Sequence, residues 1–412
     1  MTENPPSGPL AGLRVIELGS TVAGPFCARL LADFGADVIK VEQAEGDAVR
    51  SFGHRVKGRS LYNTSMQRGK KIVSINLRTK TGRTLVRQLC ESADIVVENF
   101  RAGSMERWGL GYQTLNKVNP GLIMVRISGF GQNGPYAERG GYGVICEAVS
   151  GLREITGDPD RPPPRVATSM ADYIAGLYGA FGAMMAVYKR TKTGRGQMID
   201  TSLYEASFSF MEPHIPVFQK LGVVAKRAGP LLPGNSPNSI YPTKDGRYIL
   251  LAAASDAVFK RLAATMGRLE LADDPKFASA IARAKNQAEC DAAVADWTRS
   301  LDLSDAEAAL NEAKVPAARI YTVEDIFNDA HYRARDMLVD VDDPVLGTVT
   351  VPGIVPKLSD TPGAIRWAGR DIGQDTATVL TDELKLEPDK ILRMAREGVV
   401  FGGDLPKEDN GS

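Results

Sequence analysis

The chain has 412 residues, 43% apolar and 24% charged, with 50 basic side chains against 50 acidic ones. That length exceeds what one hydrophobic core usually serves, so two domains are expected. Zero net charge argues against nonspecific nucleic-acid binding, and four scattered cysteines (Cys27, Cys90, Cys146, Cys290) exclude a disulfide frame or a CxxC zinc site. The cysteines read as reduced, buried thiols of a cytoplasmic protein.

The first nine residues are polar and proline-rich, with no signal-peptide core. Residues 13–18 read as a buried strand, 19–25 as a loop, 26–34 as a helix and 37–41 as a second strand. This is a β-α-β unit with Pro25 suited to a first helical turn. Apolar strands follow at 72–77, 95–97 and 122–127, with a helix over 82–91. The alternation predicts an α/β fold, a Rossmann-like large domain with a mostly parallel sheet.

A long helix is predicted over 170–190. Its uncharged part, residues 173–188, is short for a membrane span of about 20 residues, so a buried helix is expected and no membrane partner. A strand follows at 198–201, and the Gly/Pro-rich stretch 222–242 reads as a linker. Beyond it, strands at 248–252 and 316–321 with helices at 257–266 and 289–300 predict a smaller α/β domain. The expected division is 1–222, 223–330 and 331–412. The last part, including residues 346–351, is expected to return strands to the large domain, with fraying from Phe401 onward.

Charge is unevenly spread. From Ala48 to Cys90 there are eleven Lys or Arg and no acid, so the rest of the chain carries 39 basic against 50 acidic residues. Such a cluster suits a discrete polyanionic ligand, or else a solvated basic face. No P-loop, HExxH or GxSxG occurs, and Gly19 and Gly24 do not form a GxGxxG loop. His54, His214 and His331 show no triad or metal spacing, so no metal is expected. Asp172 is the only acid between Asp160 and Asp200, at the start of the long apolar helix. Ser169-x-x-Asp172 has capping-box spacing, and on spacing alone the capping role is favoured over a nucleophile. The loop 99–107 follows a strand end, where ligands of open α/β sheets bind, and its Arg101 and Arg107 could each hold a phosphate.

Ala23-Gly-Pro25, residues 31–42 (Leu-Ala-Asp-Phe-Gly-Ala-Asp-Val-Ile-Lys-Val-Glu), Val97-Glu-Asn-Phe100, residues 128–135 (Ser-Gly-Phe-Gly-Gln-Asn-Gly-Pro), Asp172 and residues 192–197 (Lys-Thr-Gly-Arg-Gly-Gln) together resemble the class III CoA-transferases. Formyl-CoA transferase and carnitine CoA-transferase are members of that family. The resemblance implies an interlocked homodimer and makes Asp172 the catalytic aspartate, reversing the odds set by spacing. It implies acyl-CoA esters and a carboxylic acid as substrates, with no tightly bound cofactor. Coenzyme A contacts would involve Gln43, Leu77, Arg78, Lys80, Asn99, Phe100, Arg101, Arg107 and Tyr142. Gln43 stands where some members place an arginine near the adenine, and Val22 where the formyl-CoA enzyme has a glutamine. The substrate pocket would draw on Val22, Ala23, His54, Arg55, Gly140 and Gly141. Arg55, Lys57 and Arg59 are candidates for a second substrate carboxylate, which would suit succinyl-CoA and a small dicarboxylic acceptor, or else for phosphate binding. A 2-methylacyl-CoA racemase is the alternative within the superfamily, but residues 134–144 lack its partner histidine, with Tyr142 in that place. A non-catalytic acyl-CoA binding protein is the alternative outside it.

Overall fold

The computed structural model describes residues 8–406. Its centre is a seven-stranded sheet in the spatial order Val400–Phe401, Lys70–Ile75, Asp37–Glu42 (β2), Arg14–Glu17 (β1), Ile95–Glu98, Ile123–Ser128 and Met198–Ser202. Six strands run parallel, and Val400–Phe401 lies antiparallel at the edge, pairing with Ser74 and Ile75. The interior strands are almost wholly buried runs of Val and Ile, as expected for a parallel sheet covered on both faces.

Helix Ala23–Asp33 (α1) follows β1, and the long helix Met170–Thr193 packs against it on one face of the sheet. The long helix has the length and composition of a membrane span. Here its Ala and Gly positions, among them Ala175, Gly176, Gly179 and Ala183, are buried, while Leu177, Phe181 and Met185 are exposed. A Cβ at Gly176 would stand 2.7 Å from the Ala23 carbonyl oxygen and 2.9 Å from the Phe26 ring. Only glycine lets the two helices approach this closely at the start of α1.

Two compact units emerge. The larger takes in the described residues of Met1–Leu152, Val166–Pro216 and His331–Ser412; the smaller comprises Arg153–Arg165 and Val217–Ala330. The expected boundary at 223 therefore lies at Val217, and Arg153–Arg165 joins the smaller unit. Within that unit Arg227 donates to the Asp158 carbonyl and Gly229 to the Gly157 carbonyl, which ties the two segments together. The expected linker 222–242 also holds a strand, Asn238–Pro242, paired antiparallel with Tyr248–Ala252. Its flanking prolines hide it from a pattern reading.

Residues 346–351 do not reach the central sheet. Gly347–Pro352 pairs only with Leu338–Asp343. The strand that does return is Val400–Phe401, at the point where fraying was expected. Asp404 holds it in place by accepting hydrogen bonds from the Ala377 and Thr378 amides.

Beneath the β1–α1 loop lies a buried ionic network. Lys40 Nζ donates to Glu17 (2.8 Å) and the Gly19 carbonyl (2.7 Å), and pairs with Asp47 (2.8 Å). Lys70 Nζ donates to Glu17 (2.7 Å), the Pro25 carbonyl (2.8 Å) and Gln67 (2.8 Å). Asp47 Oδ1 accepts from the Thr21 amide (2.9 Å) and the Val49 amide (2.9 Å). Thr21 has φ 74°, a left-handed conformation costly for a β-branched residue, so these bonds hold a strained turn.

Burial alone would raise the Asp47 carboxyl, but Lys40 and the amide donors hold it below the usual range. A carboxyl whose folded value is depressed stabilises above its unfolded value of about 3.9, and that stability is lost as pH falls through the folded value. Asp47→Asn is therefore expected to destabilise by about 2 kcal/mol at neutral pH, a gap that closes below about pH 4. Denaturant unfolding across pH checks this, and a pH-independent gap would contradict it.

Candidate active site

A cavity of about 240 Å³ opens at the carboxyl ends of β1, Ile95–Glu98 and Ile123–Ser128, the edge where loops of a parallel sheet gather ligands. Asp172 lines it, with Ser20, Thr21, Ala23, Asn99, Phe100, Arg101, Arg139, Gly140, Gly141 and Tyr142 among the other walls. A smaller cavity of about 50 Å³ is lined by Gln43, Leu77 and Phe100. Ser20 and Phe100 line both, so the two spaces adjoin.

Ser169, the N-cap residue of the long helix, makes no side-chain capping bond, so the reciprocal pair of a capping box does not close. Asp172 instead lies half-buried in the first turn, facing the start of a second helix, Gly143–Val149. A Cβ on Gly143 would stand 2.3 Å from Asp172 Oδ2, so a carboxylate oxygen occupies the space a side chain would fill. First-turn amides lack intrahelical partners, and two helix starts bring such amides to this one carboxylate.

The walls are pinned from outside the cavity. Asn99 clamps the β1–α1 loop, accepting from the Ser20 amide and donating to the Ser20 carbonyl, both at 2.8 Å. Glu98 is buried, accepts from the Phe100 amide (2.8 Å) and pairs with Arg126 (2.6 Å). In the 128–135 loop the Gln132 amide donates to Asp200 (2.9 Å). The Val97-Glu-Asn-Phe100 sequence thus carries two loop anchors as well as two cavity walls.

Competing nucleophiles are poorly placed. Cys146, one helical turn from Gly143, donates its thiol to the Gly129 carbonyl at 3.3 Å. Burial pushes that thiol up to about 12, with the negative charges of Asp172 and Glu147 adding to the effect. No histidine lines either cavity. Tyr62 and Tyr173 share a hydroxyl–hydroxyl bond of 2.7 Å beside Asp172. Burial, then that bond, push the Tyr62 hydroxyl up, and the Asp172 charge contributes.

The residues expected at the site separate into groups. Ala23, Asn99, Phe100, Arg101, Gly140, Gly141 and Tyr142 meet Asp172 in the main cavity, while Gln43 and Leu77 line the smaller one. Val22 is buried against Val49 and Met66 and lines neither. His54 and Arg55 are exposed on a short hairpin; Arg55 donates to the Arg50 carbonyl and lines a different cavity with Arg50 and Arg59. Arg78, Lys80 and Arg107 line none of these spaces, and Arg107 donates to Ser104.

The basic stretch is not one anion site. Arg50 pairs with Glu42, Arg59 with Asp343 and Asp371, Arg68 with Asp33, Lys70 with Glu17, Lys71 with Asp37 and Arg87 with Glu91. Every one of those acids lies outside residues 48–90. Arg59 is therefore not available for a substrate carboxylate, and Lys57 donates to the Val345 carbonyl. Arg139 is a cavity wall the sequence reading passed over. Its guanidinium stacks 4.5 Å from the Tyr136 ring centre and, like Arg101, has no carboxylate partner among the described residues. Beside Gly140-Gly141 an exposed arginine carries no pattern that would single it out.

Residues 10–376 match the family model described as CoA-transferase family III. The chain is 45% identical over 402 residues to the succinyl-CoA–D-citramalate CoA-transferase of Chloroflexus aurantiacus, covering 97% of this chain and 100% of that one. It is 39% identical over 397 residues to the beta subunit of succinyl-CoA–L-malate CoA-transferase from the same organism, covering 95% and 98%. A crystal structure of a CAIB/BAIF family protein from Brucella suis superposes with a TM-score of 0.81 at 35% identity, covering 92% of this chain and all of that one. On a match of this extent, the chain belongs to CoA-transferase family III and is an enzyme that transfers coenzyme A.

Proposed function

We propose that this enzyme moves coenzyme A from succinyl-CoA to a small dicarboxylic acid through covalent intermediates on Asp172. The observation that carries the reading is the Asp172 carboxylate against Gly143, inside a cavity that no other carboxylate lines. Donor and acceptor are inferred from the D-citramalate and L-malate relatives, both named for dicarboxylic acceptors.

In the proposed sequence Asp172 attacks the thioester carbonyl, forming a mixed anhydride and expelling CoA thiolate. The thiolate attacks the Asp172 carbonyl carbon, releasing succinate and leaving an aspartyl-CoA thioester. The acceptor carboxylate attacks that thioester, giving a second anhydride and thiolate. Thiolate attack on the acceptor's acyl carbon then yields the new CoA ester and restores Asp172. No net proton is moved, which suits a site without histidine; splitting one hard transfer into activated acyl steps is the gain of covalent catalysis. Two-base racemisation would need a second proton carrier at the cavity, and Tyr142 occupies the place of that partner. The smaller cavity with Gln43, Leu77 and Phe100 is the proposed seat of the nucleotide end of coenzyme A, and Arg101 and Arg139 suit its phosphates.

The exposed apolar side chains Leu177, Phe181 and Met185 on the long helix suit burial against a second copy, and we infer a cytoplasmic homodimer. Light scattering on the purified protein should then give the mass of two chains; a monomer at micromolar concentration would dismiss the dimer.

Mixing the protein with succinyl-CoA should leave a CoA-sized adduct on the peptide that holds Asp172, read by mass spectrometry. Asp172→Ala should lose both adduct and turnover, by on the order of 10³-fold or more; turnover near the wild-type rate would sink the mechanism. Gly143→Ala should lower kcat on the order of 10²-fold, because the new methyl group must push the nucleophilic oxygen aside. An unchanged kcat would mean that the Asp172 position seen here is not the reactive one.

A further inference from the structure

Arg29 stands apart from the paired arginines around it. Its side chain is only 13% exposed, yet its buried Nε has no hydrogen-bond partner among the described residues. Asp33, one turn on, lies 3.8 Å from its Nε, but both Asp33 oxygens already accept from Arg68 at 2.9 and 2.7 Å. What remains for the Arg29 guanidinium is the face of Phe26, 4.7 Å away. Burial pushes the group down to about 10, and the Arg68 charge adds to the shift. A buried cation so poorly compensated is costly unless something anionic meets it.

Its neighbourhood leads to Asp172. Long side chains lean toward the start of their helix, so Arg29 reaches back over Phe26, one turn from Ala23 in the main cavity wall. Tyr173, next to Asp172 in the chain, packs edge-on against Phe26 with ring centres 4.7 Å apart. Its hydroxyl meets that of Tyr62 at 2.7 Å. Two hydroxyls carry two protons, and their mutual bond uses one; the other has no acceptor among the described residues. The seam between α1 and the long helix therefore offers a guanidinium and an unspent O–H, and the carboxylate nearest Arg29, Asp33, is already engaged by Arg68.

We propose that Arg29, with the Tyr62 and Tyr173 hydroxyls, holds the second carboxylate of a dicarboxylic acyl group while Asp172 works on the first. The proposal rests on the reading of the substrates as dicarboxylic and names the residues that would recognise them. A planar fork and one hydroxyl match the acceptor lone pairs of a carboxylate. A methyl group at that end would leave the same donors unpaired, the situation in which enzymes discriminate most strongly. Arg29, Tyr62 and Tyr173 are positioned to select the substrate and take no part in bond making.

The test compares kcat/KM for succinyl-CoA and butyryl-CoA, which differ in that terminal group, with one fixed dicarboxylic acceptor. Wild type should prefer succinyl-CoA. Arg29→Gln should lower the succinyl-to-butyryl ratio about 10²-fold and Tyr62→Phe about tenfold, with Arg29→Lys between wild type and Arg29→Gln. Denaturant unfolding accompanies each variant, and Tyr62→Phe supplies the ratio should Arg29→Gln not fold. A wild-type preference for succinyl-CoA with the ratio unmoved, or with both donors lost equally, would overturn the role of this seam and leave the dicarboxylate reading standing. A wild type indifferent to the two donors would overturn both.

Discussion

The site depends on a fully buried quartet of charges: Glu17, Lys40, Asp47 and Lys70. The two lysines grip main-chain carbonyls on either side of the β1–α1 turn, Gly19 and Pro25, and Asp47 grips the Thr21 amide within it. The quartet is electrically neutral, which is what allows it to stay dry. It acts as a rigid floor: the turn it fixes carries Ser20, Thr21 and Ala23 into the cavity wall, and the start of α1 gives Gly176 its docking surface. A hydrophobic floor of equal volume could pack as tightly. It could not hold a left-handed threonine or aim backbone groups.

From that floor the proposed nucleophile, Asp172, is placed by contact between glycines and their neighbours. Gly176 seats the long helix on α1, which sets the depth of Asp172. Gly143 removes the one side chain that would collide with its carboxylate, and brings a second helix start to the same point. The proposed chemistry asks little else of the protein: a thioester is already activated, and the proposed intermediates hand the same carboxylate back. The protein contributes position and a charge environment, and both come from main chain as much as from side chains.

Much of the fold was legible because runs of Val and Ile bounded by Gly, Asp and Asn mark buried parallel strands at nearly their observed limits. Asn238–Pro242 was not, because prolines at both ends imitate a linker, and neither was the short Val400–Phe401 strand, whose pairing depends on a partner far away in the chain. The basic run from Ala48 to Cys90 misled for a related reason. Its acids, Asp33, Glu17, Asp343 and the rest, are brought in by topology, so local charge counting missed the partners of six of its eleven basic residues. Asp172 could be found in the sequence only through family resemblance, since spacing alone favoured a cap. That Ser169 fails to close the capping pair depends on backbone geometry, which spacing does not encode. Gly143 and Arg29 gave no local signal at all: each matters through neighbours far away in the chain.

The last strand carries a consequence for biosynthesis. Lys70–Ile75 is completed as an inner strand only by Val400 and Phe401, which follow it far later in the chain. Until those two residues are made, the Ser74–Ile75 margin of the sheet remains unpaired. A growing chain therefore carries an open strand edge, a route to misassociation, throughout the synthesis of everything that lies between the two strands.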